Sequence, residues 1–270
     1  MTLLTPDLLT QPRIHSLSRL VAGPRWRHEA MRAHGNAVLY WFTRGQGRFT
    51  VAGAVQGYGP HHALILPAGT VHGFDATPQT QGWALFFPAS MPGLPDTAHH
   101  LRLFDLPRQT ELTQFVDRLS QELAAPEAPE AARAVDFWLG LIAVWLARQI
   151  ARDTANRPEP TAAQKMAARF AAAMEQGFRD GHDVTDIAQV LGVTPDYLSR
   201  VCQESCGRSA HELLADRRLY EARAMLHDTD QPVGDIARAA GFGSAAYFTR
   251  AFQAETGQTP SDFRRAHRAA

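Results

Sequence analysis

Two cysteines, Cys202 and Cys206, and one lysine, Lys165, are all that 270 residues contain of those types. So few thiols exclude a disulfide framework, and nearly all positive charge falls to arginine. Net charge is also lacking. The 27 basic residues balance the 27 acidic ones, so composition offers no overall electrostatic reason to expect a nucleic acid or a membrane as partner. The opening "MTLLTPDLLTQPRIH" has no basic flank followed by an apolar core, so no export signal is read and the cytoplasm is expected. The longest apolar run, "FWLGLIAVWLA" from Phe137 to Ala147, falls far short of the ~20 residues that span a bilayer and reads as a buried helix.

Apolar content of 45% over this length is enough for two domains. From Asn36 to about Phe87 short apolar or alternating runs are punctuated by glycine, which predicts a β-sandwich or small barrel. From Gln109 the period changes. Leu112, Phe115, Val116, Leu119 and Leu123 form one helical stripe, and a second helix is predicted from Ala131 to Arg152. Its Trp138, Leu139, Ile142 and Trp145 form an apolar stripe that looks too large for one chain to hide. Either the preceding helix covers it or it meets another subunit, and part of it is expected to pack across a twofold axis in a homodimer. Arg152–Thr161, polar and holding two prolines, is the expected linker, and everything from Ala162 onward reads as helix.

The helical half writes one device twice. "DIAQVLGVTPDYLSR" (Asp186–Arg200) is matched by "DIARAAGFGSAAYFTR" (Asp235–Arg250). In the first copy Thr194 is an N-cap and Pro195 sits at the first helical position; in the second, Ser244 is the cap. Leu198, Val201 and Cys202 point inward in one copy, and Phe248, Ala251 and Phe252 in the other. Asp196, Ser199, Arg200 and Gln203 then form the outward face of the first helix, with Ala246, Thr249, Arg250 and Gln253 at the matching places in the second. A helix, a glycine turn and a second helix with a polar outer face is helix-turn-helix geometry, whose second helix enters the DNA major groove. Cys202 shares its inward register with Phe252, so it is expected to be packing rather than a redox centre.

"DIARAAGF", "YFTRAF" and "GQTPSDFR" together resemble the C-terminal signature of the AraC-type transcription regulators. The resemblance covers Ala162 to about Arg268. It implies two helix-turn-helix motifs joined by a rigid central helix, about Ala210–His227, with the eight outward residues named above contacting promoter DNA. Upstream, "PAGTVH" carries Pro67, Gly69 and His72 in a pattern that resembles the second motif of the cupin barrels, the usual sensory domain of that family's arabinose branch. A small-molecule effector is implied, with His34, Tyr40, Trp41, His72 and Trp83 as pocket candidates. Strand alternation lets only one of Tyr40 and Trp41 face inward.

The expected architecture is therefore a two-domain α+β chain. Residues 1–151 form a cupin-like effector-sensing β-barrel with dimerisation helices, 152–161 a linker, and 162–270 an all-α domain with two helix-turn-helix motifs. The expected function is effector-controlled, sequence-specific DNA-binding transcription regulation in a homodimer, with double-stranded DNA and RNA polymerase as partners and no membrane. The competing reading is a cupin metalloenzyme with an appended DNA-binding domain. It needs a His-x-His with a downstream glutamate, and His28 and His34 have the wrong spacing. No metal, cofactor or catalytic residue is expected.

Overall fold

A computed structural model describes residues 10–153 and 159–268 of the chain. Residues 154–158 of the expected linker lie outside the described residues. Strand β1 (Arg13–Ser16) leads into helix α1 (Leu17–Ala22) and the single turn α2 (Trp26–Glu29). Seven strands follow: β2 (Val38–Arg44), β3 (Gly47–Val51), β4 (Ala54–Tyr58), β5 (His62–Leu66), β6 (His72–Ala76), β7 (Gln81–Phe86) and β8 (His99–Arg102). They pair antiparallel in two sheets, ordered β1-β7-β2-β5-β8 and β4-β3-β6.

The central strand β2 is buried on both faces. Val38, Tyr40 and Phe42 point into the space between the sheets, among Phe49, Tyr58, Leu64, Phe74 and Phe86. Leu39 and Trp41 point the other way, into a second core made with two long helices. These are α3 (Leu106–Ala124), whose first turn is capped by Asp105, and α4 (Ala131–Asp153). By length and composition α4 is apolar enough to cross a membrane. Here its Leu139, Ile142 and Leu146 pack with Leu112, Val116 and Leu119 of α3 on the outer face of the large sheet.

The second half begins with α5 (Ala162–Gly177), opened by a capping box between Thr161 and Gln164. It continues through α6 (Val184–Leu191), α7 (Pro195–Cys206), the long α8 (Ala210–Asp228), α9 (Val233–Ala239), α10 (Ala245–Thr256) and α11 (Pro260–Arg268). One end of α8 supplies Ala210, Leu213 and Leu214 to a core with α5, α6 and α7. Its other end supplies Leu219, Ala222 and Leu226 to a core with Ile236, Phe248, Phe252 and Phe263. Two helical units are thus held by one rigid rod.

Candidate nucleic-acid interface and barrel-mouth cluster

Each unit builds its outward helix from local signals. In the first, the Asp183 carboxylate accepts from the Thr185 and Asp186 amides, and the Asp186 carboxylate accepts in turn from the Asp183 amide, so α6 starts in a closed box. It stops at Gly192, whose φ of +70° suits glycine. The Thr194 hydroxyl then accepts from the Tyr197 amide and α7 begins. In the second, Gly241 at φ +78° makes the turn, and a Cβ there would come 1.8 Å from the Phe178 carbonyl oxygen, so no other residue fits. The Ser244 hydroxyl accepts from the Tyr247 amide to start α10.

The inner faces are filled as the register requires, with Leu198, Val201 and Cys202 buried in one unit and Phe248 and Phe252 in the other. Burial pushes the Cys202 thiol up to about 12, so it stays protonated. On the outer faces Asp196, Arg200 and Gln203 of α7 and Ala246, Arg250 and Gln253 of α10 are exposed, while Ser199 and Thr249 are half-exposed. The Arg200 guanidinium sits 5.2 Å above the Tyr197 ring, which limits the directions it can take.

In the first half, strand direction divides the five candidate pocket residues. Trp41 faces the helices, where its indole N–H donates to the Thr113 hydroxyl at 3.1 Å, and Trp83 packs in the same outer core. Tyr40, on the opposite face of β2, joins His34 and His72. A single pocket cannot use both sets, because neighbouring residues of a strand face opposite sides of the sheet. His72 Nδ1 donates to the Thr70 carbonyl at 2.8 Å, which makes Nε2 the acceptor for the Tyr40 hydroxyl at 3.0 Å. His34 Nε2 approaches the same hydroxyl at 3.4 Å. Among the described residues no group of three or more His, Cys, Asp or Glu side chains could hold a metal ion.

Burial, then the neighbouring Arg32 charge, pushes the His72 pKa well below its ordinary value of 6.5. Burial and then the adjacent His72 push His34 the same way. Below pH 6.5 the unfolded chain takes protons that the folded cluster refuses, so stability falls from there down through the lower folded values. The fully buried His72 contributes to this acid decline in the same direction. Thermal unfolding across this range should show a shallower acid decline for His72→Gln, and an unchanged slope would contradict the assignment.

The segment from Trp26 to His34 gave no periodic signal in sequence, since α2 is a single turn, yet it joins the two halves. Arg32 is buried, pairs through its backbone with His72 at 2.8 and 2.9 Å, and lays its guanidinium 4.8 Å over Phe74. Next to it, the Met31 amide donates to Asp216 of α8 at 3.0 Å. Trp26 meets Tyr220 and Phe263 edge-on at 5.7 and 6.1 Å. A buried ion cluster lies on the same stretch of α8. Arg217 forks onto Glu175 at 2.6 and 2.9 Å and reaches Glu221 at 2.9 Å, which also receives Arg179 at 3.0 Å. Burial opposes the Arg217 charge, but the two carboxylates outweigh it and raise its pKa.

Residues 15–142 match the AraC-like ligand binding domain family, and residues 187–266 match a helix-turn-helix domain family. The arabinose operon regulatory protein of Salmonella typhimurium is 34% identical over 86 residues, 32% of this chain and 31% of that protein. The transcriptional regulator GlxA of Rhizobium meliloti is 35% identical over 92 residues, 34% of this chain and 28% of that one. The chain therefore spans about a third or less of these curated relatives. Among solved structures, ToxT from Vibrio cholerae aligns with 94% of this chain and 96% of its own, at 10% identity and a TM-score of 0.45. The chain thus carries an AraC-like ligand binding domain followed by a helix-turn-helix domain.

Proposed function

We propose that the chain is a sequence-specific DNA-binding transcription regulator whose α7 and α10 enter the major groove of one duplex site. The observation that carries this reading is the pair of matching exposed faces on helices held by the common rod α8. Arg200→Ala and Arg250→Ala should each weaken binding to the specific site by about 1 to 3 kcal/mol, or roughly five- to 150-fold, where the arginine reads a base. Fluorescence anisotropy against specific and unrelated duplexes separates that outcome from a uniform loss, which marks a phosphate contact. Unchanged binding by both folded variants would sink the assignment.

Control by a small-molecule effector in the barrel is part of the same proposal, as are a cytoplasmic location, contact with RNA polymerase and the absence of catalysis. The support for effector control is the short path from His72 and Tyr40 through Arg32 and Met31 to Asp216 on α8. A ligand that binds better to one arrangement of this segment shifts how the barrel sits on the DNA-binding half. Screening metabolites for thermal stabilisation of the full chain tests it, and a barrel that no metabolite stabilises counts against effector control.

We also propose a homodimer, through a different face of α4 from the one the sequence suggested. Leu139, Ile142 and Trp145 are buried within the chain and Trp138 is half-buried, because α3 and the sheet cover them. The uncovered stripe is Phe137, Leu141 and Val144, at 61%, 48% and 48% exposure. Three large apolar residues one helical turn apart on an open face favour an isologous contact.

A further inference from the structure

The two outward helices share a register but not a chemistry. On α7 the positions nearest the N-terminus carry Asp196 and Ser199, an acceptor-only carboxylate and a hydroxyl, followed by Arg200. The same positions on α10 carry Ala246 and Thr249, with exposed Ala245 beside them. The Thr249 hydroxyl donates to the Ala245 carbonyl at 2.9 Å, within its own helix. With its proton committed to that bond, Thr249 has no hydrogen-bond donor left for a base edge, and it presents its methyl group beside a hydroxyl oxygen that can only accept. The opening of α10 thus brings three methyl groups to its outer face before Arg250 supplies a hydrogen-bond donor, and packing does not account for Ala245 or Ala246, both of which are exposed.

In the major groove only thymine presents an apolar group, its C5-methyl, while cytosine and adenine present amino donors and guanine two acceptors. Methyl groups set against those polar edges would strip them of water and return no hydrogen bond. We propose that the opening of α10 recognises thymine methyl groups, and that the matching part of α7 reads hydrogen-bonding base edges. The DNA site is then asymmetric in chemistry, with one half read by shape and methyl contact and the other by donor and acceptor pattern. This rests on the DNA-binding reading above and adds which bases each helix selects.

The test uses the full chain. A high-affinity duplex is first selected from a random pool, and each of its thymines is then replaced in turn by deoxyuridine, which lacks only the methyl. At thymines facing α10, affinity should fall about fourfold per methyl, the equivalent of about 0.8 kcal/mol for one buried carbon group. At the thymine whose methyl it meets, each of Ala246→Gly and Thr249→Ser should cut the deoxyuridine effect to less than about twofold, since the protein side of that contact is already gone. Thr249→Ser keeps the hydroxyl bond to Ala245 and so guards against helix loss in the glycine variant. Ser199→Ala on α7 should retain the full deoxyuridine effect. Tolerance of deoxyuridine at every position, with the selected duplex still bound, would overturn the proposal and leave the DNA-binding reading standing. So would an effect undiminished in both α10 variants. Failure to enrich any duplex would overturn both.

Discussion

Arg217→Met is expected to destabilise the DNA-binding half by about 3–5 kcal/mol, the cost of leaving buried charge without its partner. Arg217 is 1% exposed and is the shared buried partner of Glu175 and Glu221, so its loss strands both carboxylates with only the half-exposed Arg179 as a counter-charge. Adding Glu175→Gln and Glu221→Gln should recover part of the loss, because the stranded charges are then absent. The native cluster also has an acid limit. Burial pushes Glu221 up, but Arg217 and then Arg179 overcome this and hold its pKa below its ordinary 4.5. Its contribution is therefore present above about pH 4.5 and is lost as pH falls through the lower folded value. Chemical denaturation of the full chain at neutral pH provides the measurement, and wild-type stability in Arg217→Met would refute the account. DNA affinity should fall with stability, since both outward helices are positioned by the helix that carries this residue.

Two aspartate substitutions one residue apart should give opposite results. Ile142 has no exposed surface, and Ile142→Asp places an unpaired charge between α4, α3 and the large sheet. A loss of about 4 kcal/mol or more is expected, enough to unfold the N-terminal half. Leu141 is 48% exposed, and Leu141→Asp should leave the fold intact while weakening the contact between two copies. Thermal unfolding reads the first outcome and analytical sedimentation the second. A folded Ile142→Asp, or a Leu141→Asp chain that associates as the wild type does, would contradict the assignment of these two faces.

The expectation that Ile142 and Trp145 meet a partner copy failed for a definable reason. An apolar stripe says how much surface a helix must hide, but not what hides it. Here α3 and the outer face of the large sheet cover Leu139, Ile142 and Leu146, and only Phe137, Leu141 and Val144 are left open. The pocket candidates have a similar history. In "AVLYWF" both faces of β2 are buried, so apolar residues run without alternation and the sequence cannot say whether Tyr40 or Trp41 faces the barrel interior. Packing put Tyr40 with His34 and His72 and turned Trp41 to Thr113.

By itself the sequence determined the helical half. Caps at Thr194 and Ser244, turns at Gly192 and Gly241, and a repeated helical period are effects of residues within a few positions of one another, so they can be read along the chain. Tertiary structure decided the pairing of β1 and β8 with distant strands, the covered side of α4, and the grip of Trp26 and Met31 on α8. Met31 and Asp216 are 185 positions apart, and no local propensity encodes a bond of that kind. Such contacts form only where the folded cores bring the two segments together, because the loss of chain entropy on closing so long a loop must be met by many cooperating contacts at once.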